Sequence, residues 1–304
     1  MESEKYHRIE NIQIISAPSI LGLKPTGVEN LGEGLLACGL AEKLNATNPV
    51  IIVPDLNHLY NSSRDPDTDC LNATPIREFS LALSQTIADT IANDRFALVL
   101  GGDCSILLGI MPALKAKETQ GLVFIDAHAD FYEPGQSITG EVADMDLAIV
   151  TGRGPELLTN INNLCPYVND ENIAHIGQRD HEETKQYGSR DIRETAIKCI
   201  PLADIENRGI KDILPELLQY IRGAPAERFW IHFDTDSLSD EINPAVDYRL
   251  PGGLSFEQTE LLLQNLFSTG KITGMSVTIF NPSLDKEGHI ARNITESLGR
   301  SFKL

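Results

Sequence analysis

The chain has 304 residues, with 25 Lys and Arg against 44 Asp and Glu, so its formal net charge is −19. Such an acidic chain disfavours nucleic acid and anionic membranes as partners and favours cationic or metal-bearing ones. The five cysteines are scattered without a CxxC pair, and no apolar run approaches the roughly 18 residues of a membrane span. We therefore expect a reduced, cytoplasmic protein that has neither a signal peptide nor a membrane span.

In the first part of the chain, apolar strand signals alternate with apolar residues at helical spacing. The predicted elements are strands at 12–17, 50–53 (buried) and 96–100, helices at 29–44, 76–92 and 105–117, and a polar surface excursion at 57–75. A short Gly101-Gly102 turn after the third strand lets the following backbone approach the strand end.

The alternation continues to the C-terminus. The predicted elements are strands at 121–125, 173–176, 196–200, 228–233 and 274–279, helices at 210–222, 255–267 and 290–301, and a loop-rich segment at 131–154. Ser255 and Gln258 have the spacing of a capping box at a helix start. Alternating strands and helices predict an α/β protein with a mainly parallel sheet, and no break in composition marks a second domain within 1–304.

The most informative strand is 121–125, an apolar run too short for a helix. It reads as a strand buried on both faces, and it ends abruptly in Asp126, His128 and Asp130. In extended backbone these i, i+2 and i+4 side chains share one face. Two carboxylates and an imidazole suit a divalent cation such as manganese, iron or zinc.

Two more predicted strands end in ligand-type residues. Strand 96–100 leads to Cys104, and strand 228–233 leads to Asp234 and Asp236. The carboxyl ends of parallel strands meet at one edge, where α/β sheets bind their ligands. Four clustered carboxylates repel one another unless cations lie between them. Two cations about 3.5–4 Å apart, sharing a bridging carboxylate, fit this set better than one.

These motifs together resemble the arginase/agmatinase/formiminoglutamase family. The matching segments are GGDCS at 101–105, DAHAD at 126–130, IGQRD at 176–180, DTD at 234–236, PGGLS at 251–255 and NPSL at 281–284. The resemblance implies a three-layer α/β/α fold, a binuclear manganese centre and hydrolysis of a guanidine-like C–N bond. It also implies a homo-oligomer, either a trimer or a hexamer.

The resemblance also implies roles for single residues. Asp126 and Asp234 would bridge the two metals, and His128 and Asp236 would complete one metal site. Asp130 would bind the other metal and accept a hydrogen bond from the attacking hydroxide. Four further positions match residues of the family that line the substrate pocket: Tyr132, Glu141, Asp180 and Tyr248. Thr139, in the same loop as Glu141, joins them as a candidate substrate-binding residue.

The chain departs from the family at its first metal ligand, where Cys104 occupies the position of a histidine. A thiolate is a softer ligand than imidazole, so Cys104 would shift metal preference from manganese towards zinc or iron. Alternatively, Cys104 is a small buried thiol beside a site with fewer ligands. Two roles are also possible for Asp180, which can hold a substrate ammonium or cap the loop after its strand.

Two more departures concern catalysis and substrate. Ala143 occupies the position of the proton-shuttling histidine of arginases, so Glu141 and Asp144 are the candidates for proton transfer or for gripping a cationic substrate, unless they are only solvated loop charges. Ile279 occupies the position of a glutamate that binds guanidinium in related enzymes. An apolar side chain cannot pair with guanidinium, so we expect free L-arginine to be a poor substrate.

Three functions fit these residues. The leading one is a binuclear metal hydrolase of the ureohydrolase type that acts on a small cationic, guanidine or amidine substrate. The second is a metal-binding or regulatory relative without catalysis, which Ala143 and Ile279 favour. The third is a deacetylase-like amide hydrolase on the same fold, by analogy alone.

Overall fold

The computed structural model describes residues 9–303, so the charged segment 1–5, in which we predict no signal peptide, lies outside the described residues. Its centre is an eight-stranded sheet in which all neighbouring strands run parallel. The strands are β1 Ile12–Ala17, β2 Ile51–Ile52, β3 Phe96–Gly101, β4 Gln120–Ile125, β5 Ile173–Ile176, β6 Lys198–Ile200, β7 Arg228–Asp234 and β8 Ile272–Thr278. Their spatial order is β2-β1-β3-β8-β7-β4-β5-β6.

Helices connect these strands and cover both faces of the sheet. They are α1 Leu31–Ala37, α2 Leu40–Lys43, α3 Ala73–Ala92, α4 Leu107–Lys115, α5 Asp146–Val150, α6 Glu156–Thr159, α7 His181–Gln186, α8 Leu202–Arg208, α9 Ile210–Gly223, α10 Phe256–Ser268 and α11 His289–Ser301. The capping box predicted for α10 is confirmed, since Ser255 accepts from the amide of Gln258 and Gln258 accepts from that of Ser255.

Alternate residues of β4 pack into two separate cores. Val123 and Ile125 belong to the core built with α1, α2, α8, α9, α10 and α11. Leu122 and Phe124 belong to the core built with α3, α4, α5 and α6. Since neighbouring side chains of a strand face opposite ways, the helices form one layer on each face. The predicted three-layer α/β/α architecture is confirmed, and its sheet is wholly parallel.

Four local predictions differ from the structure. The helix predicted at 29–44 is two helices, because Gly39 takes a left-handed conformation with φ 84°. The strand predicted at 50–53 is reduced to β2 at the sheet edge, where Ile52 is 70% exposed rather than buried. The loop-rich segment 131–154 contains the buried helix α5. The helices α7 and α8 follow strands and were not predicted.

The strand order places the three polar strand ends in one crevice. β7 lies beside β4, and β8 separates β7 from β3. The strands β3 and β4 are buried along their whole length, so their ends are fixed by the sheet. Among residues 9–303, no helix has both the length and the apolar character needed to cross a membrane.

Candidate metal centre

The same local turn follows β4 and β7. Oδ1 of Asp126 accepts a hydrogen bond from the amide of His128 at 2.7 Å, and Oδ1 of Asp234 accepts one from the amide of Asp236 at 2.7 Å. Each carboxylate therefore caps its own strand end through an Asx turn. One oxygen is used in this way, and the second oxygen of each remains for the centre between the strands.

His128 joins the two strand ends. Its Nδ1 lies 2.8 Å from Oδ2 of Asp236 and 3.7 Å from Oδ1 of Asp126. The amide of Ala127 donates to Oδ1 of Asp236 at 3.2 Å. Burial opposes protonation of His128, but the charge of Asp236 and the bonds to both carboxylates raise its pKa well above the ordinary value. The imidazolium thus supplies the only positive charge that touches these carboxylates within the described residues.

Asp130 completes the predicted set on β4 in an uncommon conformation. Its φ is 45°, a left-handed value that few residues other than glycine adopt. The amide of Ala148, in α5, donates to the Asp130 carbonyl at 3.2 Å. Burial, with the charges of Asp126 and Asp146, raises the pKa of Asp130 well above its ordinary value. The strained backbone therefore holds a buried carboxyl group beside Asp126 and His128.

Cys104 lies on the deep side of the centre and is 1% exposed. Its Sγ lies 2.8 Å from Oδ2 of Asp234 and 3.4 Å from Oγ1 of Thr278. Burial, followed by the charge of Asp234, raises the pKa of the thiol well above its ordinary value. Without a metal, Cys104 is therefore a thiol that donates to Asp234.

Two groups of ligand atoms fit the size of a metal site. In each group the ligand atoms lie within 4.8 Å of one another: Cys104, Asp126, His232 and Asp234 form the first, and Asp126, His128 and Asp130 form the second. Asp126 belongs to both, as expected for a bridging ligand. Five of the six predicted ligands belong to one or both groups: Cys104, Asp126, His128, Asp130 and Asp234. The sixth, Asp236, contacts the second group through His128.

Two buried side chains at this centre, His232 and Asp146, were not predicted from the sequence. His232 precedes Asp234 by two residues on β7, so the same alternation that aligned Asp126 with His128 could have identified it. Asp146 is fully buried at the start of α5, and neither of its carboxylate oxygens has a partner within residues 9–303. Burial and the charge of Asp126 raise the pKa of Asp146 well above its ordinary value.

The residues present fit divalent cations. Oδ2 of Asp126 is buried and has no hydrogen-bond partner in the described residues. Burial and the charge of Asp236 raise the pKa of Asp126 to about 7, and burial and the charges of Asp236 and Asp126 raise that of Asp234 well above its ordinary value. Raised values of this kind show that the ionised carboxylates lack compensating charge, which cations supply.

Asp103 positions the turn that carries Cys104. A Cβ on Gly102 would lie 1.8 Å from the carbonyl oxygen of Ser19, so only glycine fits this approach. The fully buried Asp103 accepts from Oγ of Ser19 at 3.0 Å and from the amide of Ser105 at 2.9 Å. Its carboxylate therefore holds the turn together and leaves Cys104 to face the centre.

A pocket of about 400 Å³ opens above the two ligand groups. Its base includes five of the predicted ligands: Cys104, His128, Asp130, Asp234 and Asp236. Its walls include all six residues that the sequence associates with substrate or proton transfer: Tyr132, Thr139, Glu141, Asp144, Asp180 and Tyr248. The fold thus brings together residues that are 144 positions apart in the chain, from Cys104 to Tyr248.

The acidic wall residues are bonded within the protein. Oδ2 of Asp144 accepts from Oγ of Ser137 at 2.8 Å and from Oγ1 of Thr139 at 3.0 Å, and burial raises the pKa of Asp144 to about 7. Glu141 accepts from the hydroxyl of Tyr248 at 2.7 Å. The interpretation of Asp144 and Glu141 as solvated loop charges is therefore wrong, because Glu141 is buried, Asp144 is half-buried, and both accept hydrogen bonds within the protein.

Asp180 caps the backbone beside the site. Its Oδ2 accepts from the amide of Ala129 at 3.0 Å, and its Oδ1 accepts from Nε2 of Gln178 at 2.9 Å. It nevertheless lines the pocket. Both carboxylate oxygens of Asp180 thus have partners in the protein, which favours the capping role over binding of a substrate ammonium.

The part of the pocket floor that lies beside the ligand residues is apolar. Ile279 packs with Leu23, Cys104, Ala143 and Val246, and it is 7% exposed. Its φ is 69°, and the amide of the next residue donates to the carbonyl of the preceding one at 2.9 Å, which makes a γ-turn. A β-branched residue at positive φ is a genuine outlier. The backbone is therefore held in a strained shape that presents this side chain to the pocket.

Carboxylates and imidazoles gathered at the carboxyl ends of a parallel sheet define a metal-site α/β/α protein. The family model described as "Arginase family" matches residues 54–302, which is most of the chain, and the chain belongs to the arginase family. The resemblance found in the motifs is thereby confirmed, and a hydrolase of the ureohydrolase type is the class that this membership supports.

Individual relatives are similar over nearly the whole length. Arginase of Staphylococcus aureus (strain COL) is 29% identical over 299 residues, with 96% of each chain covered. The crystal structure of arginase from Bacillus subtilis superposes with a TM-score of 0.84 at 26% identity, covering 97% of this chain and 99% of that one. Arginase from Bacillus caldovelox superposes with a TM-score of 0.86 at 25% identity, covering 98% and 99%.

Proposed function

We propose that the chain hydrolyses a C–N bond of a guanidine, amidine or related small substrate at a centre of two divalent metal ions. The observation that carries this proposal is the pair of ligand groups sharing Asp126 beneath the pocket. When bound, two such cations lower the pKa of water and polarise the carbon that is attacked. Manganese is the metal that family membership favours, and zinc or iron is favoured by Cys104.

The chain's own residues divide the work. In this proposal Asp126 and Asp234 would hold the two cations, His128 and Asp236 would complete the outer position, and Asp130 would accept the proton of the attacking water. Two observations on Asp130 support this role: its ligand atom lies within 4.8 Å of those of Asp126 and His128, and burial raises its pKa, which favours the protonated carboxyl group.

Proton delivery to the leaving nitrogen falls to the pocket wall. Ala143 has no proton to give, and the nearby half-buried Asp144 has a pKa raised to about 7 by burial. A carboxyl group with such a pKa holds a proton near neutral pH and can donate it. Glu141, bonded to Tyr248, is the second candidate and lies on the same wall.

The substrate follows from the contrast between floor and walls. Ile279, Ala143 and Leu23 offer the inner end of a substrate no charge and no hydrogen bond. Tyr132, Thr139, Asp180 and Tyr248 offer polar contacts further out. We therefore propose a substrate that is cationic or amidine-like near the walls and metals and carries an apolar group towards the floor, so free L-arginine is a poor substrate.

The test loads the metal-free protein with Mn²⁺ or with Zn²⁺ and first measures metal content. We expect about two ions per chain, and less than about half an ion with metal in excess would overturn the two-metal proposal. Urea, ammonia, formamide and acetate release are then measured from L-arginine, agmatine, 4-guanidinobutyrate, formiminoglutamate, N-alkylated guanidines and N-acetylated amines.

We expect efficient hydrolysis of at least one guanidine or amidine, with kcat/KM at or above about 10⁴ M⁻¹s⁻¹. Asp130→Asn keeps the size of the side chain and should lower kcat by about a hundredfold or more. Hydrolysis of amides alone would favour the deacetylase-like alternative. Two bound metals without any turnover across the panel would favour the regulatory alternative.

The expected cytoplasmic location and homo-oligomer belong to the same proposal. Exposed apolar side chains at the edge strand β2, such as Ile52, supply surface that a second copy can cover. Light scattering on the purified protein should give three or six times the 33.4 kDa of one chain. A monomer at working concentration would contradict this part alone.

A further inference from the structure

We infer that His232 is a metal ligand and that it replaces, from β7, the histidine that related enzymes carry at the position of Cys104. The deep site then consists of Cys104, Asp126, His232 and Asp234, whose ligand atoms lie within 4.8 Å of one another. The inference rests on the proposed function only in requiring a metal at this centre. It adds His232 to the set of ligands, and it assigns different metal preferences to the two positions.

The place of His232 in the sheet aims it at the centre. His232 lies two positions before Asp234 on β7, so their side chains project on the same face. In register beside His232 lie Phe124 of β4 and Ser276 of β8. The Asp126 side chain follows Phe124 by two residues in the same way. His232 thus forms the layer directly beneath the two bridging carboxylates.

The ring of His232 is fixed by its neighbours. It stacks on Phe124 with ring centroids 4.9 Å apart and planes inclined by 15°. Its Nδ1 lies 3.0 Å from Oγ of Ser276, which also accepts from Nε1 of Trp230 at 3.0 Å. Metal-bound histidines characteristically use their second nitrogen in such a bond, which sets the tautomer and the ring orientation. Nδ1 is therefore engaged, and Nε2 is the nitrogen that faces the ligand group.

A second observation points to a ligand at the same place. Oδ2 of Asp126 is buried and has no partner within residues 9–303. In the same described part of the chain, Nε2 of His232 has only the hydroxyl of Thr278 as a partner, at a long 3.4 Å. Buried polar atoms are almost always hydrogen-bonded. A cation between Asp126, His232 and Asp234 satisfies both atoms at once.

The donor set of this deep site has a definite preference. One sulfur, one imidazole nitrogen and two carboxylate oxygens match the tetrahedral sites of zinc. The outer group, Asp126, His128 and Asp130 with Asp236 beside it, is richer in oxygen and suits manganese. The two positions therefore differ, and the deep one selects a borderline cation such as zinc over manganese.

The competing explanation is a histidine that only fills space and bonds to Ser276 and Thr278. Three variants of the full-length protein separate the two. His232→Gln keeps a polar side chain that can bond to Ser276 but has no imidazole nitrogen. Thr278→Val keeps the shape of the side chain and removes the hydroxyl. Cys104→Ser removes the thiol, and Cys70→Ser is its control, because Cys70 is a buried thiol that contacts Met145 instead.

Zinc and manganese affinities of the metal-free protein are measured by competition with a chromophoric chelator. His232→Gln should weaken zinc at the tighter position by about a hundredfold or more and weaken manganese by less than about tenfold. Thr278→Val removes only a long contact and should weaken zinc by about tenfold or less, clearly less than His232→Gln does. Wild-type zinc affinity in a folded His232→Gln variant would overturn the inference, as would a loss that Thr278→Val reproduces in full.

Cobalt tests the sulfur. The Co²⁺-loaded wild type should show a thiolate-to-cobalt charge-transfer band that Cys104→Ser loses and Cys70→Ser keeps. If His232→Gln does not fold, the zinc-loaded wild-type crystal structure decides. A distance of about 2.0–2.1 Å between zinc and Nε2 of His232 supports the inference, and one beyond about 3 Å overturns it.

These measurements use metal alone, without substrate. A protein with His232 bound to zinc that hydrolyses nothing would contradict the proposed function and leave this inference standing. A hydrolase whose zinc affinity is unchanged in His232→Gln would contradict this inference and leave the proposed function standing.

Discussion

Nδ1 of His128 lies 2.8 Å from Oδ2 of Asp236, so a residue after β4 and a residue after β7 form an ion pair beside the second ligand group. The pKa of Asp236 is lowered from its ordinary value, since the charge and hydrogen bond of His128 outweigh burial, which acts in the opposite direction. In the metal-free protein, a proton on His128 takes the place of a cation.

Metal uptake should therefore release protons. A ligand imidazole must be neutral, so a metal at the outer position displaces the proton of His128, whose pKa Asp236 and Asp126 raise despite burial. Calorimetric titration of the metal-free protein with Mn²⁺ near neutral pH, in buffers of different ionisation enthalpy, should show about one or more protons released per chain. The same heat in all buffers would contradict this prediction.

Asp126→Asn should have opposite effects with and without metal. The side-chain carbonyl of the introduced asparagine can still accept from the backbone amide of His128. The substitution removes a buried negative charge, and Oδ2 of Asp126 has no hydrogen-bond partner within residues 9–303. We expect the metal-free variant to be more stable than the metal-free wild type, by on the order of 1 kcal/mol or more at pH 8. The rise in Tm that metal gives the wild type should disappear.

The control for this experiment is Asp240→Asn, which changes a carboxylate paired with Arg249 away from the pocket-base ligands. It should keep the full metal-dependent rise in Tm. If Asp126→Asn keeps that rise as well, Asp126 does not hold a metal.

Asp144 should make the stability of the metal-free protein depend on pH. Burial raises its pKa from the ordinary 3.8 to about 7, so between these values the folded state keeps a proton that the unfolded state has lost. Its contribution is therefore fully present below about pH 4 and is lost as pH rises through about 7. The free energy of unfolding thereby falls by on the order of 4 kcal/mol, since a shift of one pKa unit corresponds to about 1.4 kcal/mol.

Urea unfolding at a series of pH values between about 4 and 8 measures this effect. Asp144→Asn should flatten the decline that the wild type shows towards neutral pH. Asp240→Asn should not, because the hydrogen bond and charge of Arg249 lower the pKa of Asp240. Equal slopes in the wild type and in Asp144→Asn would contradict the prediction.

Ile279→Glu should increase activity on L-arginine. It places a carboxylate at the floor, where the wild type offers only apolar contact to a guanidinium group. A desolvated ion pair of about 4 kcal/mol corresponds to roughly a thousandfold in rate or affinity. Ile279→Gln is the matched control, since it has the same length without charge. Ordinary enzyme efficiency of the wild type on L-arginine, about 10⁴ M⁻¹s⁻¹ or more, would contradict this interpretation of the floor.

The sequence was most informative where one short apolar run ended in spaced polar residues. Asp126, His128 and Asp130 follow a strand whose burial and bounds are nearly as predicted. The segment 126–130 is not extended as the alternation assumed, since it turns at Asp126 and is left-handed at Asp130. Ser255 likewise marked the start of α10 through local capping chemistry. These predictions depend on few neighbours in sequence, so they do not require knowledge of the tertiary structure.

Other features depend on contacts that sequence spacing does not reveal. The spacing of His232 from Asp234 places both side chains on one face of β7, but only the strand order, with Phe124 on one side and Ser276 on the other, shows that His232 lies beneath the ligands. Asp146 begins a helix of five residues, too short for a periodic signal. The exposure of Ile52 follows from its place at the sheet edge, which local composition does not encode.

The γ-turn at Ile279 has a consequence for how specificity can change in this fold. The segment is held by main-chain atoms, with the amide of Ile279 bonded to the Gly102 carbonyl at 2.9 Å and that of Asn281 to the Ala245 carbonyl at 2.8 Å. None of these bonds involves the side chain at 279. The side chain at position 279 can therefore be exchanged for another without loss of the main-chain hydrogen bonds that hold the turn.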